Sequence, residues 1–448
     1  MALVKRNWLE RWSPAQVLIF TFAFLIICGS VLLSLPIASR EEPLGYLDAL
    51  FTATSAVCVT GLVVVDTVTQ FTAFGQVVII TLIQFGGLGL MTMATMMAVM
   101  LGRRISFRNR LIMQEALNQF SLEGMVRLTK AVGMLTFLLE GLGAIILTVR
   151  FLPDFGWPTA LWYGVFHSIS AFCNAGFDLM GGFRNLAPYL TDWTVNLVVM
   201  TLIISGGLGF SVLAEVWQRR FGKEKRRLSL HARLVLLITA ILIIVGTSFI
   251  LIVEWNKALG GLSVEHKVLA AMFQAVSPRT AGFSTLPLDS LHSATVLMMI
   301  VLMFIGASPG STGGGVKTTT FGALMALVVS SVRGHDEVRL FGRHLPDDIV
   351  KRAVAIITIS ITLVLTVTMI ISLSDGLPFL SVLFEATSAF GTVGLSLGIT
   401  HMLTPLARVV IIFTMFAGRV GPLSLALALA YDRVNARIRY PEERIIVG

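Results

Sequence analysis

The sequence is poor in charged residues. Asp, Glu, Lys and Arg make up only 13% of its 448 residues, whereas 55% of the residues are hydrophobic. A soluble domain carries roughly 25% charged residues, so the composition excludes an ordinary soluble protein and indicates an integral membrane protein. The first long apolar run, Val17–Leu35, has no small-residue cleavage site behind it. We therefore expect it to remain as a membrane helix rather than to act as a signal peptide.

Cysteines and enzyme motifs are scarce as well. Cys28, Cys58 and Cys173 lack the spacing of a zinc site or a disulfide framework, which favours three small buried side chains. The chain contains no H-E-x-x-H, no G-x-S-x-G and no Cys–His pair in a suitable position. An intramembrane hydrolase is therefore disfavoured, and no catalytic residue is expected.

Positive charge is abundant but unevenly distributed. A net charge of +9 could suggest nucleic-acid binding. The basic residues instead form clusters separated by long segments poor in Lys and Arg, which is the positive-inside pattern of cytoplasmic loops. We expect no nucleic-acid partner, and we expect both termini to be cytoplasmic. The five clusters are Lys5–Arg11, Arg103–Arg110, Arg219–Arg227, Arg333–Lys351 and Arg433–Arg444.

Each interval between clusters contains two long apolar segments with a short one between them. The short segments have about a dozen residues, too few to span a bilayer as a helix, so they are predicted to be re-entrant. The long segments are Val17–Leu35, Phe74–Leu101, Leu128–Phe151, Trp193–Trp217, Leu234–Trp255, the interrupted Ala294–Ser331, Ile349–Leu373 and Thr404–Tyr431. The short segments are Tyr46–Val57, Ala160–Phe172, His266–Val276 and Phe379–Phe390.

This pattern predicts an all-α integral membrane protein with eight transmembrane helices and four re-entrant pore helices. They form four helix–pore loop–helix repeats with pseudo-fourfold symmetry around a central ion pore. The predicted repeats are 1–102, 103–220, 221–333 and 334–448, the last including the C-terminal tail.

A glycine recurs after each short segment. The four glycines, Gly61, Gly176, Gly282 and Gly394, are 115, 106 and 112 residues apart. Four loops meeting on an axis could turn carbonyl oxygens inward and replace the hydration shell of a cation, and glycine permits the backbone this requires. No Asp or Glu stands at the matched positions. The predicted filter residues are Val59, Thr60, Gly61, Asn174, Ala175, Gly176, Thr280, Ala281, Gly282, Thr392, Val393 and Gly394.

A second glycine-rich tract follows each filter glycine by 24 to 30 residues. The tracts are Gly86–Gly89, Gly206–Gly209, Gly306–Gly310 and Gly418–Pro422. Taken singly, such glycines more often mark close helix packing. Packing alone does not explain why a short helix precedes every filter glycine.

The repeat plan, the filter strings and the closing Tyr440–Arg444 resemble the Trk/Ktr/HKT potassium transporters, and within them the KtrB-type membrane subunits. The chain begins directly with the first repeat, which favours the Ktr branch over the TrkH-type subunits. The resemblance implies multi-pass potassium uptake in the cell membrane, with K⁺ bound by the filter carbonyls and Na⁺ as a candidate co-activator. It also implies a homodimer on a cytoplasmic ring of RCK subunits, through which alone nucleotide would act. A less selective Na⁺/K⁺ or ammonium translocator stays open as an alternative.

The third repeat contains a candidate gate. Proline and five glycines in Gly306–Gly315 make continued helix unfavourable, and Ala294–Ile305 before them is too short to cross alone. A loop at 306–317 beneath the filter would obstruct the pore, and the family resemblance implies that role. A simple helix kink is the alternative; a phosphate-binding loop is disfavoured because Val316 precedes Lys317. The predicted gate residues are Gly306, Ser308, Pro309, Gly310, Gly313, Gly314, Gly315, Lys317 and Arg419.

Three further side chains carry predictions. Arg419 is costly inside a membrane and is expected to hold loop carbonyls, with a vestibule arginine in a structural pairing as the alternative. Because the filter is expected to lie apart from the loop, loop changes should leave selectivity intact. Arg279 is expected to pair with a carboxylate such as Glu385 or Asp289, and His167 to be a satisfied packing residue.

The sequence also carries expectations for the cytoplasmic loops and the C-terminus. The basic loops either dock an acidic partner ring or only fix the topology. The apolar end Ile445–Val447 suggests burial at a dimer interface.

Overall fold

The computed structural model describes residues 14–89, 125–221, 227–335 and 337–421. Regular structure in these ranges is helical, apart from a small hairpin in which β1 (Arg339–Leu340) pairs antiparallel with β2 (Arg343–His344). The α-helices are α1 Pro14–Leu33, α2 Tyr46–Val57, α3 Thr67–Gln70, α4 Ala73–Leu88, α5 Met125–Phe155, α6 Trp157–Phe172, α7 Trp193–Gly207, α8 Phe210–Phe221, α9 Leu230–Val253, α10 Val264–Val276, α11 Ser293–Phe304, α12 Thr318–Val332, α13 Asp347–Asp375, α14 Phe379–Gly391 and α15 Pro405–Val420.

Each repeat begins with a long apolar helix. Four helices in the described ranges, α1, α5, α9 and α13, are long and apolar enough to cross a membrane unbroken. Each is followed by a pore helix of 12 to 16 residues, namely α2, α6, α10 or α14. The predicted short segments differ from these pore helices by at most three residues at either end. The alternation of long and short helices therefore follows the hydrophobic segment lengths.

The repeats close into a ring through their second helices. The second helix of each repeat packs against the pore helix of the next: α4 on α6, α7 on α10, and α11 on α14. In the fourth repeat α15 packs on α2, which returns the ring to the first repeat. An ion pair from Arg408 on α15 to Asp48 on α2 reinforces that closing contact. The four repeats thus share one axis, as fourfold pseudosymmetry requires.

The second helices are interrupted at the glycine tracts, which corrects the prediction of a continuous helix over Trp193–Trp217. There, α7 and α8 meet at an angle of 108°, and the left-handed Gly209 (φ +92°) forms the corner. Gly89 and Gly421 also have positive φ and follow the last residues of α4 and α15. Glycine adopts this backbone without steric cost, so each matched tract ends a helix.

Several predictions concern residues outside the described ranges. They include the clusters Lys5–Arg11, Arg103–Arg110 and Arg433–Arg444, the string Tyr440–Arg444, and the apolar end Ile445–Val447. The C-terminal parts of Phe74–Leu101 and Thr404–Tyr431 lie there too.

Candidate functional site: a four-loop filter above an intramembrane loop

The four filter glycines touch one another in a closed ring. A Cβ built on Gly61 would lie 3.0 Å from the Cα of Gly176, and one on Gly176 would lie 2.9 Å from the Cα of Gly282. The series continues from Gly282 to Gly394 at 3.3 Å and returns from Gly394 to Gly61 at 2.8 Å. Real Cβ atoms do not approach backbone this closely without displacing it. Four repeats therefore converge at a point where only glycine fits.

Each loop contains two left-handed residues separated by one residue. The filter glycines have φ values of +69° to +94°, and the residues two positions earlier have φ values of +49° to +70°. Alternating the hand of successive residues turns their peptide groups to the same side, which is the arrangement that lines a pore with carbonyl oxygens. The four earlier residues are not glycine and carry strain of about 1–3 kcal/mol each. They are Val59, Asn174, Thr280 and Thr392.

A serine at the end of each pore helix holds its loop, a feature that sequence reasoning missed. The backbone N–H of Gly61 donates to Ser55 Oγ at 3.0 Å, and that of Gly394 donates to Ser388 Oγ at 3.1 Å. The hydroxyls of Ser170 and Ser277 instead donate to the carbonyls that follow the filter glycine. Alignment of the loops could have found this signal, because the serine stands six residues before the glycine in three loops and five in the other.

The glycines of the second tracts have a packing role. Gly86, Gly206 and Gly418 lie directly against the carbonyls of Val57, Phe172 and Phe390, so that a Cβ would collide with those oxygens. All three carbonyls stand four residues before a filter glycine. The second helices therefore press against the last turns of the pore helices, and the close-packing interpretation holds for these three tracts.

The glycine end of the filter faces an open cavity. This cavity encloses about 520 Å³ and is lined by all four filter glycines together with the segments that follow them. Burial raises the pKa of Asp178 to about 6, and the neighbouring carboxyl group of Asp66 also raises it. A hydrogen bond from the Met180 N–H and the positive charge of Arg184 lower this pKa. Asp66, Asp178, Arg184, Asp289 and His401 also line the cavity. The wall of the cavity thus carries three carboxyl groups, one guanidinium and one imidazole.

The loop after α11 is closed at its neck. Residues Ile305 and Val316 form a parallel bridge, and the N–H of Ala307 donates to the carbonyl of Gly314 at 3.3 Å. The hydroxyls of Thr318 and Ser308 share a hydrogen bond of 2.9 Å. Gly306, Ser308, Pro309, Gly313 and Gly315 are all buried. The 306–317 segment is therefore a folded loop inside the protein rather than a simple helix kink.

The second repeat supports this loop from one side. The N–H groups of Ser308 and Thr312 donate to the carbonyls of Gly207 and Gly206 at 3.0 and 3.2 Å. Thr312 Oγ1 donates to the carbonyl of Phe172, the last residue of α6, at 3.2 Å. The N–H of Phe210 donates to the carbonyl of Gly310 at 2.8 Å. The break between α7 and α8 is what exposes these backbone groups to the loop.

Two cationic side chains bind carbonyls of the loop: Arg419 from the fourth repeat, and Lys317 from the end of the loop itself. The guanidinium of Arg419 donates to the carbonyls of Thr312 and Gly86, and to that of Gly87 at 3.0 Å. Lys317 Nζ donates to the carbonyl of Gly313 at 2.7 Å. The expected contact between Arg419 and the loop is present, and the carbonyls of the first repeat are an additional partner. Arg419 thereby connects repeats one, three and four.

The loop also touches the filter, which corrects the expectation that the two lie apart. The N–H of Gly314 donates to Thr392 Oγ1 at 3.0 Å, and Gly313 lies against the hydroxyl of Thr280. Thr280 and Thr392 stand two residues before their filter glycines, at the end of the filter away from the cavity. The mouth and the loop therefore occupy opposite ends of one path.

Comparison with known proteins assigns this architecture to a family. Residues 13–436 match TrkH, a family of cation transport proteins. The chain belongs to the TrkH family. Ktr system potassium uptake protein B of Bacillus subtilis is 43% identical over 440 residues, which are 98% of this chain and 97% of that protein. Potassium/sodium uptake protein NtpJ of Enterococcus hirae is 37% identical over an alignment of 460 positions that spans 100% of both chains.

A solved structure has the same fold. The crystal structure of the potassium transporter TrkH from Vibrio parahaemolyticus aligns with a TM-score of 0.74 over 95% of this chain and 87% of its own, at 18% sequence identity. The predicted resemblance and the all-α membrane fold with repeats are thus confirmed for this TrkH family member.

Two side chains near the TrkH-family pore loops test the remaining predictions. Arg279 donates to Thr239 Oγ1 on α9 at 3.3 Å, so the predicted carboxylate partner is wrong. Glu385 accepts from the hydroxyl of Thr400 instead. His167 is buried as predicted, with Nδ1 2.7 Å from the Tyr163 carbonyl and Nε2 accepting from the Leu179 N–H at 3.3 Å.

Proposed function

We propose that this protein mediates potassium uptake across the cell membrane through a pore whose selective part is the ring of four loops. The observation that carries the proposal is the closed contact among Gly61, Gly176, Gly282 and Gly394. Backbone carbonyls around such a ring can replace the water of a desolvated K⁺. The similarity to proteins named for potassium uptake supports K⁺ as the transported ion.

The pore helices supply the electrostatics. Each ends immediately before its filter loop, so the negative end of its dipole points toward the ion path. This field favours a cation without placing a formal charge in the path, and conduction requires that binding stay weak enough for the ion to leave. Within the described residues, no group of three His, Cys, Asp or Glu side chains could hold a metal ion.

The 306–317 loop is proposed as the gate. It occupies the filter end opposite the open cavity, and its hydrogen bonds reach the second and fourth repeats. Opening requires the loop to break two hydrogen bonds, the one from Arg419 to the Thr312 carbonyl and the one from the Gly314 N–H to Thr392 Oγ1. Because Arg419 also places a positive charge beside the path, its withdrawal removes a repulsion as well as an obstruction.

Control from the cytoplasm completes the proposal. The relatives are named as components of a Ktr system, which supports a partner protein. We infer a homodimer on a nucleotide-binding RCK ring, with the nucleotide acting only through that ring and Na⁺ as a candidate co-activator. The multi-pass chain would have both termini in the cytoplasm.

The test uses a host strain that lacks its own potassium uptake. Expression of this chain should restore growth at low potassium, and purified protein in vesicles should take up rubidium. If the chain inserts into the membrane but does not restore growth at low potassium, the proposal of potassium uptake is contradicted.

A sodium/potassium translocator is the second candidate, because the 37% identical relative from Enterococcus hirae is named for potassium and sodium uptake. Equal uptake of labelled sodium and rubidium by the same vesicles would favour it. An ammonium translocator predicts ammonium uptake that rubidium competes with.

A further inference from the structure

A basic cavity lies at the end of α8, away from the filter. It encloses about 700 Å³ between the last turns of α8 and the beginning of α9. Among the described residues, none of its four arginines forms an ion pair, and the nearby Glu215 is engaged by the backbone and hydroxyl of Ser229. The lining residues are Val216, Arg219, Arg220, Arg227, Leu228, Arg233 and Leu236. Guanidinium groups without carboxylate partners favour an anion, above all a phosphate.

An apolar surface continues from this cavity along α9. Arg233 is followed on the same helix face by Leu237, Ile241 and Ile244, at spacings of four, four and three residues. These three side chains are 45%, 47% and 64% exposed. Because α9 is long and apolar enough to cross a membrane, this face meets the acyl chains of the bilayer. The cationic cavity therefore stands at the head of a lipid-facing stripe.

We propose that the cavity binds the phosphate of an anionic phospholipid whose acyl chains lie along the exposed face of α9. A free phosphate matches the arginines but leaves the stripe without a role. An acidic protein partner also matches the charges, yet it would not reach along a membrane-spanning helix. Only a phospholipid combines both features in one molecule.

The bound headgroup would act on the loop through α8. The N-terminal residue of α8, Phe210, donates its N–H to the carbonyl of Gly310, whereas Arg219 and Arg220 lie at the other end of the same helix. A phosphate bridging these arginines to Arg227 and Arg233 holds α8 against α9, and so holds the loop in its place below the filter. Anionic lipid therefore lowers rubidium leak in the absence of a partner. This second half rests on the proposed gate.

Lipid binding is measured first, without reference to transport. The full chain is purified in detergent, exposed to phosphatidylglycerol or phosphatidylcholine, and analysed by native mass spectrometry. Wild type should retain phosphatidylglycerol selectively. Arg227→Gln combined with Arg233→Gln should weaken this binding about fivefold for each arginine removed. The matched control, Arg339→Gln with Arg343→Gln, removes two exposed arginines of the hairpin and should bind as wild type.

Two results would overturn the site. Equal lipid retention by the cavity variant and the hairpin variant would show that general surface charge is responsible. Displacement of the lipid by inorganic phosphate at equal concentration would identify a free-anion site. If the cavity variant is misfolded on gel filtration, Arg219→Gln with Arg220→Gln tests the same cavity from α8.

The effect on transport is measured in vesicles without a partner protein. Rubidium leak should fall severalfold when phosphatidylglycerol is added to phosphatidylcholine, and the cavity variant should not respond. Unchanged wild-type leak despite selective binding would disprove the coupling through α8. A loop-deleted variant distinguishes a failure of the proposed gate from a failure of the coupling through α8. If the gate is correct, this variant leaks strongly in both lipids. If wild type instead binds an acidic protein through these arginines and retains no lipid selectively, the occupant of the cavity is a protein and the lipid site is rejected.

Discussion

Val59, Asn174, Thr280 and Thr392 keep a left-handed backbone although none of them is glycine. Strain of this kind persists only where the surrounding contacts fix the conformation. Here the serines at the pore-helix ends and the adjoining loops supply those contacts. The filter is consequently a stiff assembly, in which one added atom has large effects.

The filter glycines give the first prediction. Gly176→Ala should reduce rubidium uptake at least tenfold and lower its preference over sodium, because the new Cβ would stand 2.9 Å from the backbone of Gly282. Gly398→Ala is the control: Gly398 also has a positive φ, of +85°, but nothing lies within 4 Å of its added Cβ. Equal loss in both variants would attribute the effect to backbone strain and reject a ring of close contacts.

Asp178 gives a pH prediction at the mouth. Its pKa of about 6 is raised above the ordinary value, chiefly by burial, so the carboxylate is charged at pH 7 and becomes protonated as the pH falls through 6. Rubidium uptake at subsaturating concentration should fall over this interval, since one negative charge near the entrance disappears. Asp178→Asn should be low at both pH values.

His401 lines the same cavity. His401→Gln therefore serves as the comparison in the same uptake assay. Retention of the full pH response in Asp178→Asn, with its loss in His401→Gln, would reassign the response to the histidine.

Thr392 connects the filter to the loop and gives a third prediction. Thr392→Val keeps the β-branched shape but removes the oxygen that accepts from the Gly314 N–H, leaving a buried donor unpaired at a cost of about 1–3 kcal/mol. The loop should dissociate more readily, raising leak about fivefold or more and reducing selectivity. Thr387→Val, which removes only a bond to the Leu383 carbonyl in its own helix, is the control. Uptake and selectivity in Thr392→Val that match this control would exclude the coupling.

At the scale of the element, the loop and its clamp can be separated. Deletion between Ser308 and Gly314 should raise rubidium flux and weaken partner control, and Arg419→Ala should act in the same direction. Because Arg419 also binds the carbonyls of Gly86 and Gly87, the double variant should exceed either single variant slightly. Vesicle flux at matched protein levels measures all three. A deletion that leaves flux unchanged would eliminate the gate.

The helices were largely predictable, because each needs only a local apolar run of the right length. The breaks between helices were harder to predict. Gly209 adopts φ +92° at the end of α7, and the sequence Trp193–Trp217 does not show that a loop from another repeat will form hydrogen bonds with the backbone groups at this break. Arg419 could be matched to the loop through the repeat register. The partner of Arg279 could not, since Thr239 lies 40 residues earlier on α9 and a carboxylate was equally reasonable by charge.

At the scale of the whole molecule, the contact between repeats four and one closes the ring. Arg408 binds Asp48 and the carbonyls of Leu403 and His401. Asp48→Asn should lower the apparent melting temperature, since a charge-assisted bond contributes about 1.5–3 kcal/mol when sheltered and less where water screens it. Glu337→Gln, at an exposed pair, should leave it unchanged. Equal melting of the two variants would show that the ring closes by helix packing alone.

The presence of the 306–317 loop in just the third of the four repeats has a consequence for how such a pore can be built. A ring made from identical chains must repeat every feature around its axis, so four copies of the 306–317 loop would compete for the same space below the filter. Joining the repeats in a single chain removes that restriction, so that the third repeat alone can contribute the loop while other repeats hold it. Gly206 of the second repeat and Thr392 and Arg419 of the fourth all bind this one loop. The asymmetry of the sequence thus allows a single loop, the proposed gate, to serve a pore with pseudo-fourfold symmetry.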